Sequence, residues 1–226
     1  MLNKYYILRK RLLFIPLIFF SLILFVAMKN QIALKRKIVC FGDSITYGAL
    51  VRGYSWVDLI SKMNHNLIMI NAGRKGRKTS DKEELLPILD KNSDANYFLL
   101  FLGVNDLKNG NDSLVQTCVD NMKWMIEQIK EKAPHARIVL LAPSQINTKI
   151  MSELNIIKKY NENTSRSLVL LAKKYKELAS NEHIGFIDLL KTVSPENYVD
   201  GLHPNKKGQF QIARAVWKEL NKMFGK

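Results

Sequence analysis

Cysteine is scarce in this chain: two residues, Cys40 and Cys118, among 226. That excludes a scaffold built on disulfides. Cys40 falls in an apolar run and Cys118 in an amphipathic one, so two buried thiols fit better than a bridge, with a single bridge left open. Histidine is almost as rare, with His65, His135, His183 and His203 the only four. Acidic residues are missing altogether from positions 1–37, which hold eight Lys and Arg. The remainder carries 27 basic and 20 acidic residues, a net of +7 against +15 for the whole chain. Much of the basicity is therefore N-terminal. No nucleic-acid recognition motif accompanies it, so the reading is no nucleic-acid partner. An anionic membrane or cell-wall surface suits the pattern better. Internal repeats and low-complexity segments are lacking.

What is present divides at about residue 37. Residues 12–28, LLFIPLIFFSLILFVAM, carry no charge and reach the short limit of a spanning helix, about 17–25 residues. Lys4, Arg9, Lys10 and Arg11 precede the run, and Lys29, Lys35, Arg36 and Lys37 follow it. A small-x-small cleavage pattern is not evident, so an uncleaved signal-anchor is expected ahead of a cleaved signal peptide. Basic flanks on both sides leave orientation open. Residues 1–37 thus read as anchor and linker, and 38–226 as one folded domain. The expected location is membrane-anchored, through residues 12–28, with the domain outside the cytoplasm.

Beyond residue 37, apolar runs at 38–41, 67–70, 97–102, 138–142 and 184–187 alternate with helical periodicity. Val115, Cys118, Met122, Met125, Ile126 and Ile129 share one helical face. Phe210, Ala213, Val216, Trp217, Leu220 and Phe224 share another. Five buried strands alternating with helices imply an α/β fold with a parallel sheet covered on both sides. Such sheets bind ligands at the carboxyl ends of their strands. Polar and glycine-rich segments stand there: Gly42-Asp43-Ser44 after the first strand, NAGRKGRKT (71–79) after the second and GVND (103–106) after the third. DGLHP (200–204) precedes the last helix.

Those segments could assemble a nucleophile. A serine hydroxyl needs a base, usually histidine. His65, His135 and His183 precede strands, at the wrong end of the sheet; only His203 is expected at the functional edge. Asp200, three residues earlier, could hold its imidazole in one tautomer. Oxyanion donors could be the backbone N–H of Ser44 and of Gly76 and the side-chain amide of Asn105. Each residue also has an ordinary reading. Ser44 could cap a helix, Gly73 and Gly76 could be turn glycines, and Asn105-Asp106 could be an Asx turn. Asp200 and His203 could be loop residues or, with Asp43, metal ligands. Their common placement at one sheet edge favours the catalytic reading, with Ser44, Asp200 and His203 catalytic and no metal or cofactor called for.

The four segments in order, FGDSITYG, NAGRKGRKT, LGVND and VDGLHPNKKG, resemble the conserved blocks of the SGNH hydrolases, the GDSL esterase/lipase family. GYSWVDLI and IDL (187–189) are also similar to family segments. The resemblance implies Ser44 as nucleophile, Gly76 and Asn105 in the oxyanion hole, and Asp200 and His203 completing the triad. It implies a flavodoxin-like three-layer α/β/α sandwich and metal-free ester hydrolysis through an acyl-enzyme. The Gly-x-Ser-x-Gly elbow of the α/β-hydrolases is absent, since the chain reads Gly-Asp-Ser-Ile-Thr. Connections after the strands read as short, with no lid, which implies an open site for lipid or small acyl esters. An O-acetyl esterase acting on envelope polysaccharide is the alternative, and a non-catalytic binding module on the same fold a further one. Arg74, Lys75, Arg77 and Lys78 surround Gly76 and could attract an anionic lipid or envelope glycan.

Overall fold

A computed structural model describes residues 35–225. The hydrophobic run at 12–28, with the expected anchor, lies outside the described residues. Among the described residues, no helix is long and apolar enough to cross a membrane.

Five parallel strands form one sheet: β1 (Arg36–Gly42), β2 (Leu67–Gly73), β3 (Tyr97–Phe101), β4 (Arg137–Ala142) and β5 (Gly185–Asp188). They match the five apolar runs to within a few residues. Their order is β2-β1-β3-β4-β5. β3 is buried along its whole length because it lies in the middle, whereas the edge strand β2 is only partly covered. The connection that leaves β1 runs to one side of the sheet, to β2, and the connection that leaves β3 runs to the other, to β4. The carboxyl ends of β1 and β3 therefore flank a switch point, where such sheets leave a crevice. The residues after those two strands are Gly42-Asp43-Ser44 and Gly103-Val104-Asn105.

Among the described residues there are seven α-helices: α1 (Ser44–Tyr47), α2 (Trp56–Met63), α3 (Leu86–Lys91), α4 (Asp112–Lys132), α5 (Glu153–Ile157), α6 (Glu162–Asn181) and α7 (Lys206–Phe224). α4 and α6 pack on one side, where Met122, Met125, Ile126, Leu168 and Leu171 meet Val39, Phe98 and Leu100. α2 and α7 pack on the other, where Trp56, Ile60, Ile212 and Val216 meet Ile38, Leu99 and Leu141. Alternate residues of β1 and β3 thus feed opposite cores, as the strand period of two requires. The architecture is the expected three-layer sandwich. Cys40 and Cys118 are free thiols buried in opposite cores, so the single bridge does not form. Burial pushes both thiols well above the ordinary range, Cys40 further through Asp58 and Cys118 through Asp106.

Two expectations need correction. Phe210 belongs to the apolar stripe of α7 by spacing, yet it is 42% exposed, and the neighbouring Gln209 is fully buried. Gln209 Oε1 accepts the Trp56 N–H at 2.9 Å and its Nε2 donates to the Ile45 carbonyl at 3.1 Å. A glutamine is selected there because two backbone groups need partners more than the core needs another ring. The connections after the strands are also not all short. Residues 143–161 carry a 3-10 turn (Thr148–Ile150) and α5 before α6 begins. Ile150, Leu154, Ile156 and Ile157 in this connection imitate a core stripe in sequence but are largely exposed. Lys159, at φ 66°, breaks the chain direction between α5 and α6 without a glycine or proline to announce it.

Candidate active site

The site begins with how β1 ends. Asp43 is the N-cap of α1, its Oδ1 accepting the Ile45 N–H at 2.8 Å. The capping role that Ser44 could have filled therefore belongs to Asp43, and the Ser44 hydroxyl is left to face the cleft. Gly42 is required by close approach, since a Cβ there would sit 2.2 Å from Thr46 Oγ1 and 3.0 Å from the Phe101 carbonyl. Gln209 holds the following turn through Ile45, and Asn71 Nδ2 holds it from the β2 side through the Thr46 carbonyl at 2.9 Å.

His203 Nε2 lies 3.0 Å from Ser44 Oγ, across 159 positions of sequence. Its Nδ1 lies 2.9 Å from Asp200 Oδ2. Asp200 Oδ1 accepts the backbone N–H groups of His203 at 2.7 Å and Leu202 at 3.1 Å. The same carboxylate thus shapes the loop and orients the ring. With Nδ1–H donated to Asp200, Nε2 is the acceptor that faces the serine hydroxyl. Asn155 of α5 adds a 2.9 Å bond to Asp200 Oδ2 and a 3.1 Å bond to its carbonyl. Partial burial works against ionisation of Asp200. The ring and backbone N–H of His203, together with Asn155, outweigh it and hold the carboxyl well below the ordinary range.

The oxyanion donors come from three loops. Gly76, after β2, has φ +75° and open space where a Cβ would stand. The glycine answers to backbone conformation rather than to crowding. Among the described residues, the N–H groups of Ser44 and Gly76 donate to no protein acceptor. Asn105, after β3, is buried, and its Oδ1 accepts the Tyr160 hydroxyl at 2.7 Å. That bond fixes which way the amide points. Nδ2 then donates to the Arg77 carbonyl at 3.0 Å, beside Asp43 Oδ2 at 3.5 Å. Burial, reinforced by Asp43, Asp106 and Asp200, pushes the Tyr160 phenol far up, so it stays a donor.

Arg77 is buried and serves the loop instead of a ligand. It donates to the Gly42 carbonyl at 2.7 Å and the Ala72 carbonyl at 2.5 Å, pairs with Glu84 at 3.0 Å, and lies over the Phe41 ring. Arg74 is held by Asp81 and Glu84. The cationic run around Gly76 therefore does not act as one unit: Lys75 alone among its members lines the cleft. Asp106 accepts the Thr79 N–H and hydroxyl, so it ties the β2 and β3 loops together. Asp43 is fully buried, and burial pushes its carboxyl up to about 6 despite the opposing Ile45 N–H, His203 and Arg77.

Ser44, Gly76, Asn105, Asp200 and His203 line one cleft of about 260 Å³. Every site residue expected from sequence is there. His65 and His135 precede β2 and β4, and His183, at φ 54°, precedes β5, at the opposite edge. Among the described residues, no group of three or more His, Cys, Asp or Glu is placed to hold a metal ion. Sequence reasoning missed Asn155, Tyr160, Arg77 and Gln209 as supports. Asn155 and Tyr160 sit in the connection that imitates a helix and carry no motif. Arg77 was visible only as one charge in a basic run.

Residues 40–209 match the family model described as GDSL-like Lipase/Acylhydrolase. An uncharacterized esterase of Bacillus subtilis (strain 168), YxiM, is 28% identical over 160 residues, which is 68% of this chain. The chain spans only about two fifths of that relative's length. A carbohydrate acetylesterase family member from Sinorhizobium meliloti superposes with a TM-score of 0.71 at 17% identity, over 84% of this chain and all of that one. A lipase/acylhydrolase from Enterococcus faecalis gives 0.64 at 24%, over 83% and 96%. An aryl esterase of M. smegmatis gives 0.70 at 18%, over 83% and 99%. At these identities the solved structures share the fold.

Proposed function

The chain belongs to the GDSL-like lipase/acylhydrolase family, and from that premise we propose that it hydrolyses carboxylic esters through an acyl-enzyme. The observation that carries the reading is the continuous chain Ser44 Oγ to His203 Nε2 to Asp200 Oδ2, at 3.0 and 2.9 Å. His203 takes the serine proton as Ser44 Oγ attacks the ester carbonyl. Asp200, anionic, stabilises the imidazolium that forms. The carbonyl oxygen becomes an oxyanion facing the N–H groups of Ser44 and Gly76 and the Asn105 amide. His203 then returns its proton to the departing alkoxide, leaving an ester on Ser44. A water, deprotonated by the same imidazole, releases the acid. Asn105 is a neutral donor and needs no titration to act.

The substrates are esters of small acyl groups. The modest cleft supports this choice, because among the described residues Ala49, Leu50, Leu154 and Leu202 are its only aliphatic lining. A long acyl chain would lie mostly in water there. The same modest cleft favours a second reading, removal of O-acetyl groups from an envelope polysaccharide, since a polymer can lie across an open site. The enzyme works outside the cytoplasm, held at a membrane by residues 12–28; the support is the uncharged run read as a signal-anchor, not its basic flanks, which leave orientation open. Turnover of p-nitrophenyl acetate, butyrate and decanoate by the full chain tests the acyl preference. Acetate is expected to have the highest kcat/KM and decanoate the lowest. A decanoate preference would replace the small-acyl reading with a lipase one, and absence of turnover with all three would remove the hydrolase reading.

A further inference from the structure

Three lysines line the catalytic cleft: Lys75, Lys108 and Lys158. They come from three separate segments, the β2 loop, the β3 loop and the end of α5. Lys75 is next to the oxyanion glycine Gly76, and Lys108 is three residues beyond Asn105. Two of them are steered by aromatic faces. Lys75 Nζ lies 5.2 Å from the Tyr47 ring centroid, and Lys108 Nζ lies 5.5 Å from that of Tyr160. Among the described residues, none of the three has a carboxylate within ion-pairing distance. The only carboxylate lining the cleft is Asp200, and its oxygens are taken by His203, Leu202 and Asn155. Asp106, the acid nearest Lys108 in sequence, is taken by Thr79.

Like charges brought together without a counter-charge repel, and a protein has no folding reason to gather them. In Lys108 partial burial, and then Lys78 and Lys158, push the ammonium down against a smaller opposing pull from Asp106. The arginines that flank Gly76 differ from these lysines: Arg74 and Arg77 both have acidic partners. The unpaired ammonium groups that concern the reaction are the three that line the cleft with the nucleophile. An anion entering that cleft would meet three ammonium groups and relieve the repulsion between Lys108 and Lys158.

We infer that the cleft selects esters carrying a second, anionic group, a carboxylate or a phosphate within a few bonds of the scissile ester, and that Lys75, Lys108 and Lys158 hold that group. The inference rests on the ester-hydrolase reading and adds its substrate class. It places the charge recognition on these lysines and not on the arginines beside Gly76, which are spent on the loop. Lysine suits the task because its ammonium is a mobile point charge, able to follow a flexible or polymeric acid.

The test uses the full chain and pairs of esters that differ in charge. Methyl 4-acetoxybenzoate is compared with 4-acetoxybenzoate and with 4-acetoxyphenyl phosphate, which put a carboxylate or a phosphate on the alcohol side. Phenyl hexanoate is compared with phenyl hydrogen adipate, which puts it on the acyl side. Each rate is divided by the ester's rate with hydroxide. At low salt at least one anionic probe is expected to exceed its neutral partner about tenfold in kcat/KM. That ratio should fall toward one at 0.5 M salt, where exposed charges are screened within about 4–5 Å. It should fall likewise in K75Q/K108Q/K158Q, and fall part of the way in K158E. Which probe leads tells carboxylate from phosphate and alcohol side from acyl side. Neutral esters turned over with no preference for any anionic probe would overturn this inference alone. So would a preference that survives in the triple variant. No turnover of any ester would remove the hydrolase reading and this one with it. Should the triple variant fail to fold, as judged by circular dichroism, K158E and the salt dependence carry the same decision.

Discussion

Replacing Tyr160 by phenylalanine isolates one hydrogen bond of the oxyanion site. Tyr160 lines the cleft, and its hydroxyl is engaged with Asn105, donating to Oδ1 at 2.7 Å in a buried setting. Without it the amide keeps only its Nδ2 contacts, to the Arg77 carbonyl at 3.0 Å and Asp43 Oδ2 at 3.5 Å, and a buried oxygen loses its partner. A lost hydrogen bond of this kind costs about 1–2 kcal/mol. If that cost falls on holding Asn105 in its donating orientation, kcat drops by roughly 5- to 30-fold. Removing the donor itself, in Asn105→Ala, should lower kcat by about 10²–10³. KM should move little in both, because an oxyanion exists only in the transition state. The decisive measurement is the double variant. Tyr160→Phe should add almost nothing once Asn105 is alanine, since it acts through that residue. Steady-state kinetics with p-nitrophenyl acetate on the wild type, both single variants and the double variant close the cycle. If Tyr160→Phe lowered kcat by the same factor with and without Asn105, a positioning role through the amide would be refuted.

Other outcomes follow from the same geometry. Asp200→Asn should lower kcat by about 10³–10⁴, because an amide can stabilise the wrong imidazole tautomer; a wild-type rate would remove Asp200 from the triad. Asp43, pushed up to about 6 by burial, makes the fold less stable as it ionises. Its folded pKa exceeds the unfolded value near 4, so wild type loses stability between about pH 4 and 6 and stays level above. Asp43→Asn keeps the cap acceptor and should gain on wild type by up to about 3 kcal/mol from pH 4 to pH 8 in urea denaturation; a pH-independent difference would show that Asp43 does not titrate there. Asp200 has the opposite sign. Its lowered pKa contributes stability that is fully present above about pH 4 and is lost only in stronger acid. Arg77→Met should cost about 3 kcal/mol or more by orphaning the Gly42 and Ala72 carbonyls, read as a lower urea midpoint. A midpoint like that of wild type would show that the two carbonyls do not depend on Arg77.

The sheet was legible in sequence because its strands are covered on both sides and read as unbroken apolar runs. The nucleophile, base, acid and oxyanion donors were legible because each stands directly after a strand or directly before the last helix. Short-range chemistry at those junctions is written in consecutive residues. The supporting contacts were not. Gln209 reaches Ile45 and Trp56 from more than 150 positions away, and nothing near it in sequence marks a buried glutamine. Asn155 and Tyr160 belong to a segment whose isoleucines repeat as a core helix would, yet face outward. Arg77 and Lys75 are two positions apart in one basic run. One is buried against Phe41 and two carbonyls and the other lines the cleft. Residue type alone cannot separate them, because the choice is made by the sheet edge beneath.

The claim at the centre is that Ser44 is an activated nucleophile. Treating the full chain with a fluorophosphonate and mapping the adduct by mass spectrometry reads that directly, with Ser44→Ala and His203→Ala alongside. Labelling at Ser44 in the wild type, absent in Ser44→Ala and slowed by about 10³-fold or more in His203→Ala, is the expected result. A folded wild type that takes no label, or a label on another serine, would contradict it and leave a binding module on this fold as the better description.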